Sequence, residues 1–183
     1  EVLRLHLETE SGVTQVMNPF LAYGTTALGL MVTERFFLYL QLGDGDVLNV
    51  YPNGKVKRPL PADVHLFGNQ TTSLCLANAA QHVRLCVIGL DEEPPELILL
   101  STDGYSNSFK NDKEFLRVGP DILEFIRTEG LESVKTQLAQ WLDEASEMGS
   151  GDDITLGLLS RPTKFNPVPS ASTEDTAQTL TAN

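Results

Sequence analysis

Three aspartates stand at the ends of three apolar runs, and this repeat limits what the chain can fold into more than any other feature. Asp44 closes the run from Phe36 to Gly43, and Asp103 closes the run from Glu96 to Thr102. Asp152 and Asp153 open the run from Ile154 to Leu159. Short apolar runs bounded by turn residues read as buried strands. Two of the acids follow a strand and the third group precedes one. If the third strand runs antiparallel to the others, all three gather at one rim of a sheet. Carboxylates held that close raise each other's pKa unless a cation lies between them. Hard divalent ions with oxygen ligands, Mg²⁺ or Mn²⁺, suit such a cluster. The pattern predicts a metal site at a sheet rim.

Each acid alone supports a plainer reading. Asp44-Gly45 and Asp103-Gly104 are turn dipeptides, because Asp bonds its own backbone and Gly accepts positive φ. The flanking residues separate the two readings. Gly24-Thr25-Thr26-Ala27, Gly43-Asp44-Gly45-Asp46, Ser101-Thr102-Asp103-Gly104 and Gly149-Ser150-Gly151-Asp152-Asp153-Ile154-Thr155 occur in that order. Together they resemble the successive motifs of the metal-dependent protein phosphatases, the type 2C or PPM family. Gln41-Leu42-Gly43-Asp44-Gly45-Asp46 and Thr71-Thr72-Ser73-Leu74-Cys75 resemble a bacterial branch of it. The resemblance spans Tyr23 to Ser160.

The resemblance implies metal-ligand roles for Asp103 and Asp152, and a role for Asp44 at an additional, more weakly held ion. Asp153 stands where the family often has Asn. No side chain is the nucleophile in this scheme: water activated by Mg²⁺ or Mn²⁺ attacks phosphoserine or phosphothreonine in a protein substrate. The family's first metal motif, an Asp-Gly bridging the catalytic ions, lies upstream of its Gly-Thr-Thr segment, as does its phosphate-gripping Arg. Here 23 residues precede Gly24, and none of them is Asp. The expectation is a chain lacking the amino-terminal strands of that fold, weak in metal binding and poor in turnover by itself. It also self-associates through the uncovered sheet. The competing expectation is a catalytically inactive phosphatase-like domain that binds a partner protein.

Composition bounds the alternatives. The net charge is −12, from 13 basic and 25 acidic residues, so neither nucleic acid nor an anionic membrane surface is an expected partner. No apolar stretch approaches the roughly 18 residues of a membrane span, and the start lacks a signal-peptide layout. A cytoplasmic protein is expected. His6, His65 and His82 show no ligand spacing. Cys75 and Cys86 are too few for a disulfide scaffold and are expected as reduced, packed thiols on consecutive strands, Thr71 to Ala77 and His82 to Gly89.

The runs Ala27–Val32, Phe36–Leu42, Asp46–Tyr51 and Lys55–Arg58 predict a four-stranded meander around Asp44, its last hairpin turning at Pro52-Asn53-Gly54. Pro59 to Gln70 reads as a loop. Helices are expected only after Asp103. Pro120 suits a helix start, and Leu131, Val134, Leu138, Trp141, Leu142 and Ala145 form an amphipathic stripe ended by Gly149. Strands followed by helices predict an α+β fold, a layered β-sandwich flanked by helices, over residues 1–160. Residues 161–183, with three prolines and many Ser and Thr, predict a disordered tail or linker.

Overall fold

The structure, a computed structural model, describes Phe20 and residues 23–61, 71–90 and 93–161. Its strands are β1 (Ala27–Val32), β2 (Phe36–Leu42), β3 (Asp46–Val50), β4 (Val56–Lys57), β5 (Arg84–Gly89), β6 (Leu97–Ser101) and β7 (Leu156–Ser160). The helices are α1 (Asp103–Asn107), α2 (Asp112–Glu129) and α3 (Leu131–Met148). Two antiparallel sheets result, one ordered β1-β2-β5 and the other β4-β3-β6-β7.

Period-two alternation explains the layers. Phe37 and Tyr39 of β2 point inward and meet Val47 of β3 and Ile98 of β6, with Leu60 beside them. The next residues on the second sheet, Leu48, Val50, Leu97 and Leu99, face the other way. They pack on Phe115, Ile122, Leu123 and Ile126 of α2 and on Val134 of α3. β3 and β6 are thus buried on both faces, which is why they read as unbroken apolar runs. The fold is the expected α+β sandwich, with its described helices on the outer face of the second sheet.

The expected meander is corrected at Asp44. β2 and β3 do not pair; the chain leaves one sheet at Gly43 and enters the other at Gly45. Gly43 takes φ 92°, and a Cβ on Gly45 would lie 2.7 Å from the Ser101 carbonyl oxygen, so the two glycines permit the crossing. The expected strand over Thr71 to Ala77 is also corrected. That segment is irregular and leads into a 3₁₀ turn at Ala79–Gln81. Its Leu74 amide and Ser73 hydroxyl both donate to the Thr25 carbonyl, at 2.9 and 3.1 Å, so it lies across the start of β1. Cys75 and Cys86 therefore do not face each other across a hairpin, and neither is in a disulfide.

The third correction concerns Pro120, which lies inside α2. The helix begins at Asp112, where Asn111 accepts from the Glu114 amide at 3.0 Å and caps the first turn. Gly119 just before the proline has no room for a side chain, since a Cβ would sit 2.7 Å from Val50 Cγ2. Burial of Phe115 and Ile122 on either side carries the helix through the missing hydrogen bond. α3 and the turn at Gly54 (φ 78°) agree with the sequence reading, and Trp141 packs edge-on to Phe125 with centroids 5.1 Å apart. The expected tail, the amino-terminal segment, His6, His65 and the loop from position 62 onward lie outside the described residues. No helix among the described residues is long and apolar enough to cross a membrane.

Candidate functional site

β3 and β7 both run antiparallel to β6, so the start of β3, the end of β6 and the start of β7 share one rim of the second sheet. Asp46 pairs with Ser101, and Ser101 pairs with Leu156. Asp44, Asp103, Asp152 and Asp153 are carried on the backbone just beyond those positions. Asp44 and Asp103 are half-buried, whereas Asp152 and Asp153 are exposed.

The four segments singled out in the sequence touch one another there. Gly43 lies against Thr26, where a Cβ would come within 2.3 Å of Thr26 Cγ2, and it also borders the Thr72 carbonyl. Gln41 Nε2 donates to the carbonyls of Gly43 and Gly45, and Arg84 Nη2 donates to Gly43 at 3.1 Å, which holds the Asp44 turn. Across the rim the Thr102 amide donates to the Thr155 carbonyl at 3.1 Å. The Thr155 amide returns a bond to Thr102 Oγ1 at 3.0 Å. A Cβ on Gly104 would meet the Asp153 carbonyl at 2.8 Å and Asp152 Cβ at 3.1 Å, so only Gly lets the segments carrying Asp103 and Asp152 come this close. Ser150 Oγ donates to the Gly104 carbonyl at 2.9 Å and accepts from the Asp152 amide at 3.2 Å, fixing the second loop on α1.

Asp103 begins α1, and its carboxylate accepts from Asn107 Nδ2 at 3.4 Å. Among the described residues no three of His, Cys, Asp and Glu converge on a point that could hold an ion. The donors at the rim are carboxylates and carbonyls, which fit a hard divalent cation in kind; in number they do not close a cage. Asp46, although within the rim motif, is committed elsewhere. It accepts from Arg58 Nε at 2.7 Å, and the same guanidinium holds Asp112 at 3.1 and 2.5 Å. Sequence reading missed Arg58, Arg84 and Gln41 as organisers of this region, since no local pattern marks a side chain that reaches a distant turn.

The Arg58 guanidinium holds the Asp112 carboxyl below its ordinary value of 3.8. A depressed carboxyl contributes stability that is present above its ordinary value and lost as pH falls through the depressed one. Asp112 is 61% exposed, so solvent screens the pair and the contribution stays within about 1 kcal/mol. Asp112→Asn is expected to lower stability by up to that amount near neutral pH and to match the parent once both are acidified below the carboxylate range. Urea titrations at the two pH values check this. An unchanged gap in acid would show that Asp112 acts through something other than its charge.

A family model for protein phosphatase 2C matches residues 3–143. A bacterial serine phosphatase superposes with TM-score 0.54 at 16% identity, covering 75% of this chain and 57% of that one. The serine/threonine phosphatase Stp1 from Staphylococcus aureus superposes with TM-score 0.53 at 17% identity, covering 76% of this chain and 57% of that one. At such identities the superpositions speak for the fold. The chain spans little more than half the length of these structures. No curated protein matches the sequence.

Proposed function

We propose that this chain, which belongs to the protein phosphatase 2C family, is the part of a metal-dependent serine/threonine protein phosphatase that carries Asp44, Asp103 and Asp152. The observation that carries this reading is the packing of all four motif segments around one sheet rim, with Gly43, Gly45 and Gly104 at the close approaches and the Thr102–Thr155 backbone bond across it. In it, Asp103 and Asp152 hold divalent ions, Mg²⁺ or Mn²⁺, and Asp44 serves a further, weaker position. Such ions, when bound, acidify water and offset the charge of a transferring phosphoryl group. The chain's own contribution is positional. Thr102 and Thr155 pin the two acid-bearing turns together, Ser150 and Ser108 fix the loop on α1, and Gln41 and Arg84 hold the Asp44 turn. The substrate class is a phosphorylated protein.

Phosphate release from a phosphothreonine peptide tests the reading, in this chain and in the longest product of its gene. Release that requires Mn²⁺ and stops with EDTA is expected from the longer product, with little from this chain because its rim acids do not close a cage. Absence of release from both would favour the inactive, partner-binding domain.

Self-association belongs to the same reading. The register aligns Met31, Leu38 and Val87 in one row across the first sheet, with Leu40 and Leu85 in the next. Met31, Leu85 and Val87 are 46%, 60% and 63% exposed, an apolar outer face where the second sheet has helices. Leu85→Lys with Val87→Lys is expected to shift this chain toward monomer in sedimentation velocity. An unchanged distribution would remove this face as the contact.

A further inference from the structure

A second polar site lies on the open side of the sandwich, between the β3–β4 hairpin and β5. A cavity of about 320 Å³ there is lined by Asn49, Tyr51, Lys57, Arg58 and, from β5, Val87 and Ile88, among others. Its volume lies in the range of small-ligand pockets. Asn49 and Lys57 are cross-strand partners in the β3–β4 register, so their side chains share one face, the face turned toward the first sheet.

Asn49 is 1% exposed. Its Oδ1 accepts from the Tyr39 hydroxyl at 3.0 Å, and its Nδ2 has no partner. Burial pushes the Tyr39 hydroxyl up to about 12, so it stays neutral and able to donate. An unsatisfied buried amide of this kind is costly, and a ligand acceptor would relieve that cost. The charges beside it have the matching sign. Arg58 is already neutralised by Asp46 and Asp112. Lys57 has no carboxylate partner among the described residues, and its ammonium rests 5.1 Å from the Tyr51 ring centroid.

We infer that this cavity binds an oxyanion, held by the Lys57 ammonium and Asn49 Nδ2, at a site separate from the aspartate rim. Free inorganic phosphate and the phosphate of a phosphoserine peptide are the two sources of that chemistry. None of the rim carboxylates takes part in this site, and binding there is independent of turnover at the rim.

The test is calorimetric titration of the metal-free chain, with EDTA present, by inorganic phosphate and by a short phosphoserine peptide beside its unphosphorylated form. Lys57→Gln should weaken binding about tenfold, the loss of one charge-assisted hydrogen bond. Lys55→Gln makes the same change of net charge in the same hairpin but outside the cavity lining, and should leave binding within about twofold. Asp103→Ala should leave it unchanged. Tighter binding of the phosphopeptide than of inorganic phosphate would assign a peptide ligand; equal binding would assign the free ion. Circular dichroism confirms that the exposed Lys57 and Lys55 variants fold. No saturable binding of either probe, or equal losses in the Lys57 and Lys55 variants, would overturn the inference.

Discussion

Asp103→Ala and Asp152→Ala are each expected to lower Mn²⁺-dependent phosphate release by the longest product of the gene about a hundredfold or more. Loss of a single electrostatic partner of a transition state has that order of effect, and an ion deprived of a ligand loses position as well as affinity. Neither variant should unfold the protein. The Asp103 carboxylate takes one hydrogen bond, from Asn107 at 3.4 Å, and Asp152 is exposed. Asp44→Ala should approach parent activity once Mn²⁺ is saturating, because its proposed ion is the weaker one. Circular dichroism and a metal titration of each variant separate lost ligation from lost structure. Full activity in the Asp103 or Asp152 variant would remove that residue from the ligand set. Full activity in both would leave the rim without its proposed role.

The rim was legible because its signal is local: an apolar run, then an acid, then a glycine. Nothing local shows which sheet a strand joins. β2 and β3 read as neighbours, yet Gly43 and Gly45 pass the chain between layers, and the reason lies in contacts with Thr26 and Ser101. A sequence pattern likewise cannot tell a strand over Thr71 to Ala77 from a segment whose Leu74 amide and Ser73 hydroxyl are taken by the Thr25 carbonyl. Pro120 misled for a related cause, since the burial of Phe115 and Ile122 outweighs one missing helical bond. The layers themselves followed from the order of elements, strands before helices, because each kind must bury its apolar face against a neighbouring layer. Asn49 and Lys57 gave no signal at all, because their proximity comes from a hairpin register and their meaning from a cavity.

Arg127→Ala should be among the most destabilising single changes, lowering stability by about 3–5 kcal/mol, the cost of leaving a buried charge unpaired. The charge is Glu96, whose side chain is 4% exposed just before β6. Arg127 grips both its oxygens, Nε at 3.1 Å and Nη2 at 2.5 Å, and also donates to the Pro52 carbonyl at 2.9 Å. The pair thus ties the last turn of α2 to the β3–β4 hairpin and to the second sheet, and a cation there also suits the helix end. Arg127→Lys keeps the charge without the fork, so it should fall between parent and Ala. Adding Glu96→Gln to Arg127→Ala should recover part of the loss, because it removes the stranded charge while leaving the same cavity. Urea denaturation of the parent, Arg127→Ala, Glu96→Gln and the double variant supplies the cycle; additive losses would mean that the two side chains act independently. Glu96 precedes β6 and Asp103 follows it, so the ion pair and the rim lie at opposite ends of one strand. Damage at Glu96 should therefore reduce the amount of folded protein while leaving the KM of what remains folded unchanged, whereas damage at Asp103 should do the reverse: a fully folded protein with little turnover.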